Sequence, residues 1–108
     1  MKPLLGCIGL MSAMLMAIPC QAQSLDPEQR GKQLAEELCS GCHAVGPTGE
    51  SKLPNAPAFR TLAHKWPLEQ LEEALAEGIV TGHPDMPEFQ FSSDDVDAFI
   101  TYLGSINQ

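Results

Sequence analysis

Four stretches of the chain place apolar side chains at helical spacing, and polar or proline-rich breaks separate them. In the first, Gly31, Leu34, Ala35 and Leu38 share one face, with Arg30, Lys32, Glu36 and Glu37 mostly off it. Asp26 followed by Pro27 marks its start, a capping residue ahead of a proline at the first helical position. Residues 45–57, rich in glycine, proline and polar side chains, predict a loop. A short helix follows over residues 58–65. It must end at Trp66-Pro67, because the residue before a proline avoids helical geometry, and Pro67 can then open the next helix. There Leu68, Leu71 and Leu75 form a stripe that Ile79 extends, Glu69, Glu72, Glu73 and Glu77 face out, and Gly78 marks the stop. Pro84 and Pro87 exclude a continuous helix across residues 81–90 and leave Met86 on a constrained loop. The last helix starts at Ser92 or Ser93, carries Asp94, Asp95 and Asp97 at its positive end, and packs Val96, Phe99, Ile100, Leu103 and Ile106. No run alternates as a strand, so the predicted class is all-α.

Ahead of these segments, Met1-Lys2-Pro3 precedes an apolar run from Leu4 to Ile18, too short for a comfortable bilayer span. With Cys20 three residues and Ala22 one residue before a cut, residues 1–22 read as a cleaved secretory signal and 23–108 as the mature domain. An uncleaved membrane anchor is the competing reading. A lipid anchor fits less well, because Cys7 precedes most of the apolar run and Cys20 follows a proline.

Processing changes what the composition means. Of four cysteines only Cys39 and Cys42 remain, and of five methionines only Met86. Five basic residues then face fourteen acidic ones, a net charge of about minus 9, against minus 8 for the full chain. That balance argues against nucleic acid and against an anionic membrane surface. About 86 residues with this much loop form a weak fold unless something fills the centre.

Cys39-Ser40-Gly41-Cys42-His43 is a C-x-x-C-H sequence, the attachment signature of c-type haem. Cysteines three apart lie on one side of a helical turn, so both thiols reach one edge of a porphyrin, and the adjacent histidine offers its imidazole to the iron. Three other uses of the motif fit less well. A thioredoxin-like pair calls for a βαβ pattern, structural zinc calls for four ligands, and a disulfide between these positions closes too small a loop to stabilise much. If His43 takes one face of the iron, the other needs a ligand or an open position. Met86, the last methionine, sits between Pro84 and Pro87, and its soft thioether favours ferrous iron. His64 and His83 are rival ligands.

With these features the chain resembles the class I monohaem cytochromes c, specifically the small bacterial type. The likeness covers the whole mature domain, from the haem motif near the amino end to the methionine loop and a final helix. It implies a cytochrome c fold of about four short helices and loops around one covalently bound haem c. It implies that Gly31, eight residues before Cys39, lets the first and last helices cross closely, with Phe99 and Tyr102 on the aromatic side. It also implies a proline carbonyl holding His43, for which Pro54 is the candidate and Pro47 the rival, and an indole hydrogen bond from Trp66 to a haem propionate. The chain departs from the family at Ala35, where an aromatic residue is common.

A haem with both axial positions filled exchanges single electrons and offers no site to a substrate. The expected function is a soluble, monomeric, periplasmic electron carrier rather than an enzyme, meeting redox partners through a basic docking surface on their side. The alternatives are a dedicated electron-transfer subunit of one oxidoreductase complex and a haem-based redox or gas sensor.

Overall fold

A computed structural model describes residues 16–79 and 84–107. The expected signal lies mostly in residues 1–15, outside the described residues, as does His83. Residues 16–26 run without helix and lie exposed.

The first helix, α1 (Pro27–Leu38), begins where expected: Asp26 accepts a hydrogen bond from the Gln29 amide at 3.1 Å, and Pro27 occupies the first turn. A 3-10 turn (Phe59–Thr61) leads directly into α2 (Leu62–Lys65). The single short helix predicted over residues 58–65 is therefore divided between two helical geometries. Trp66 is extended ahead of Pro67, and α3 (Leu68–Glu77) follows. Gly78 ends α3 with φ of +104°, a left-handed conformation that a glycine adopts without steric cost. The last helix, α4 (Ser93–Ile106), starts on a Ser92 hydroxyl that accepts from the Asp95 amide at 3.3 Å, and Asp94 and Asp95 lie at its positive end. The described residues contain helices and no strands, the all-α class that the sequence pattern predicts.

The core forms where α1 crosses α4. Leu34, Ala35, Val96, Phe99, Tyr102 and Leu103 are buried there, and Phe59, Leu62 and Leu75 close it from the other elements. Ile100 and Ile106 pack at its edge rather than within it, while Ala98 is buried unforeseen. The helices approach so closely at Gly31 that a β-carbon there would overlap the Ala98 carbonyl oxygen and lie 2.7 Å from Tyr102 Cβ. Ala35, fully buried in the same seam, explains the departure from an aromatic residue: no space remains for a ring. Arg30 bridges to Asp95 at 3.0 Å across the crossing. Tyr102 donates from its hydroxyl to the Val45 carbonyl at 2.6 Å and so ties α4 to the loop after α1.

Gly31→Ala should cost at least about 1–3 kcal/mol, the range for overpacking a close-packed contact, measured as a lower denaturant midpoint. Tyr102 supplies a pH test. Burial first, then the nearby Glu36 and Glu28 carboxylates, raise its phenol above 10.0. The folded state therefore keeps a proton that the unfolded chain releases, and stability falls as pH rises from about 10 upward. Tyr102→Phe should lose about 1 kcal/mol at neutral pH and flatten that alkaline decline in denaturant titrations.

Candidate functional site

The last turn of α1 does not stop at Leu38. Cys39 donates its amide to Ala35, and both Cys42 and His43 donate theirs back to the Cys39 carbonyl, at 3.2 and 2.9 Å. One further tight turn thus brings Cys39, Cys42 and His43 onto the wall of one cavity. Neither cysteine is held in a disulfide. As a free thiol, before any thioether forms, Cys39 is pushed by burial and then by nearby Cys42 from 9.0 up to about 11.

Three hydrogen bonds fold the following loop back over this turn. Leu53 donates to the Cys42 carbonyl at 3.1 Å, Phe59 to the Ala44 carbonyl at 2.9 Å, and the Ala44 amide to the Ser51 hydroxyl at 3.0 Å. The Phe59 bond lays the residues just before it alongside the imidazole. As a result the carbonyl beside His43 Nδ1, at 2.7 Å, belongs to Pro57. This corrects the assignment to Pro54 or Pro47: Pro54 lines the cavity wall instead, and Pro47 lies exposed on the loop. A carbonyl can only accept, so Nδ1 carries the hydrogen and Nε2 keeps its lone pair. The Phe59 ring is tilted against the imidazole with centroids 5.1 Å apart.

The opposite wall comes from the loop between α3 and α4. After the Gly78 turn, Ile79 donates to the Phe89 carbonyl and Phe91 to the Leu75 carbonyl, each at 3.0 Å, so the loop leaves and rejoins the helices at one place. It presents Asp85, Met86, Pro87 and Phe89 to the cavity. Phe59, Phe99 and Phe91 pack edge to face in series, at 5.7 and 5.6 Å, and Phe91 meets Phe89 at 6.3 Å. An aromatic chain therefore spans from the His43 wall to the Met86 wall.

The structure brings Cys39, Cys42, His43 and Met86 together on a cavity of about 450 Å³, within the range of cofactor pockets. Leu38 and Leu53 stand at its edge, each 42% exposed, and among the described residues Asp85 is the only charged one lining it. An apolar chamber with an imidazole lone pair, a thioether and two thiols suits a large planar apolar group holding a metal that accepts nitrogen and soft sulfur donors. The two other residues singled out are not on this wall. His64 is exposed on α2, and Trp66 is 44% exposed with the Lys65 ammonium 6.0 Å from its ring. The contact to a propionate that the resemblance implies for Trp66 thus draws no support from its position. Pro57 and Phe59 went unforeseen, because the backbone bonds that pace the loop leave no mark in residue order.

A helical domain whose first and last helices cross at a glycine beside a C-x-x-C-H turn is a class I cytochrome c domain. The chain belongs to the family described as cytochrome c oxidase, cbb3-type, subunit III, whose model matches residues 26–103. Its cofactor is covalently bound haem c and its role haem-based electron transfer between redox partners. No curated protein and no solved structure matches the chain.

Proposed function

We propose that residues 1–22 are removed on export and that residues 23–108 act in the periplasm as a free carrier of single electrons. In this reading Cys39 and Cys42 attach one haem c through thioethers, and His43 and Met86 are its axial ligands. The observation that carries it is the meeting of these four residues on one apolar cavity, from two loops more than forty residues apart. Haem c, when bound, supplies a one-electron couple. His43 offers Nε2 from a ring whose orientation the Pro57 carbonyl fixes, which also makes the imidazole a better donor. Met86 offers a soft donor from a loop whose ends are tied to α3, and with both donors engaged no position remains for a substrate. Leu38 and Leu53 leave an apolar margin beside the attachment turn, suited to brief contact with a partner.

The family description favours a second reading, a subunit held within one terminal oxidase complex. Purification of the native protein as a lone monomer supports the free carrier; co-purification in fixed ratio with oxidase subunits supports the second reading. Among the described residues no helix is long and apolar enough to cross a membrane, which fits either.

Visible spectra of the exported protein, oxidised and reduced, should show covalent low-spin haem, and Met86→Ala should lose the signature of the sulfur ligand while keeping the haem. A chain without covalent haem would end the reading; an unchanged spectrum in the variant would end only the Met86 assignment. Glu69, Glu72, Glu73 and Glu77 are exposed on α3, and Asp94 and Asp97 on α4, which supports steering toward a basic partner. Transfer rates should then fall as salt rises through the range where the Debye length shrinks to about 10 Å, and a rate indifferent to ionic strength would remove the steering.

A further inference from the structure

Residues 57–63 hold His43 from two sides: the Pro57 carbonyl is 2.7 Å from Nδ1, and the Phe59 ring is tilted against the imidazole at 5.1 Å. That segment must itself be held. At its start the Phe59 amide donates to the Ala44 carbonyl at 2.9 Å. Its other anchor is Asn107, the residue that ends α4. Asn107 Oδ1 accepts from the Ala63 amide at 3.0 Å, and Nδ2 donates to the Phe59 carbonyl and to the Leu103 carbonyl, both at 2.8 Å.

An asparagine side chain offers one acceptor oxygen and two N–H donors, and here both kinds of group are engaged across two elements. Ending a helix requires none of this, because the Asn107 backbone amide already reaches the Leu103 carbonyl at 3.1 Å. The two bonds that leave α4 both land on the segment that carries Phe59. Aspartate would keep the acceptor and lose both donors; alanine would lose all three bonds. The side chain is half-buried; in either case the Phe59 carbonyl keeps the Leu62 amide as a donor but loses its tie to the end of α4.

We propose that Asn107 is a positioning residue for His43. It pins the backbone of Phe59 and Ala63 to the end of α4, and through that segment fixes the carbonyl and the ring that orient the imidazole. The proposal rests on His43 being the iron ligand. Because a firm Nδ1–H···O bond strengthens the imidazole as a donor to ferric iron, loosening the segment should raise the reduction potential.

The test compares haem-loaded wild type, Asn107→Ala, Asn107→Asp and Arg30→Ala by redox titration and proton NMR. Arg30→Ala breaks the Arg30–Asp95 pair on the far part of the crossing and serves as a purely structural control. In both Asn107 variants the His43 Nδ1 proton should exchange roughly five- to tenfold faster, the scale of one lost hydrogen bond, and in Asn107→Ala, which changes no charge, the potential should move upward. Arg30→Ala should lower the unfolding midpoint and move neither. The proposal is overturned if the Asn107 variants lose stability with potential and exchange unmoved. It is equally overturned if, in the unaltered holoprotein, the Asn107 side-chain amide exchanges as fast as a free one, a measurement that needs no variant to fold. A haem-loaded wild type with unmoved variants sinks only the role of Asn107, whereas a wild type without covalent haem sinks the carrier reading as well.

Discussion

The contact on which the rest depends is the crossing of α1 and α4 at Gly31, where a missing side chain lets one helix lie against the Ala98 carbonyl of the other. A β-carbon at that point would force the helices apart, and the seam of Leu34, Ala35, Phe99, Tyr102 and Leu103 would open with them. Everything that bears on the cavity is referred to this seam. The C-terminal turn of α1 delivers the two thiols and His43. Along α4, Phe99 supports Phe59 and Phe91, Tyr102 holds Val45, and Asn107 holds Phe59 and Ala63. The amino and carboxyl ends of the domain thus cooperate in building a site that neither contains alone.

The two walls of the cavity are held with unequal firmness. On the His43 side, backbone bonds from Cys42, Ala44 and Phe59, the Pro57 carbonyl and a packed ring all converge within a short loop. On the Met86 side the loop is tied where it leaves and rejoins α3, at Ile79, Phe89, Phe91 and Leu75, while Pro84, Asp85 and Pro87 around the methionine stay exposed. Constraint by proline does there what hydrogen bonds do opposite, since it narrows the backbone without needing a partner.

Residue order revealed the helices wherever a local signal was complete. Asp26-Pro27, Ser92 and the left-handed Gly78 each act through their own side chain or lack of one, and each sits where the pattern placed it. The C-x-x-C-H turn was equally plain because its spacing is its chemistry. What stayed hidden depends on long-range register. That Pro57 rather than Pro54 faces His43 follows from Phe59 pairing with Ala44, a bond between two backbone groups that any residues could make. Asn107 showed nothing either, because an asparagine at a helix end is ordinary until its partners are known. Trp66 is a different case: its role came from the family resemblance, and its place beside Pro67 leaves it 44% exposed.

The width of the cavity follows from these same register-dependent contacts. Its two walls touch through Phe59, Phe99 and Phe91, which pack edge to face, and through Phe89, tilted against Phe91, a series that resists both compression and separation. Phe99 belongs to α4 and is buried in the seam, which makes it the fixed point of the series. The loop carrying Met86 reaches that point through Phe91, and the segment facing His43 reaches it through Phe59. The spacing between imidazole and thioether is therefore not left to either loop. It is imposed by the core, and haem-based electron transfer would benefit from that in the proposed reading of His43 and Met86 as ligands, because two donors held at a set separation need little rearrangement when the charge between them changes.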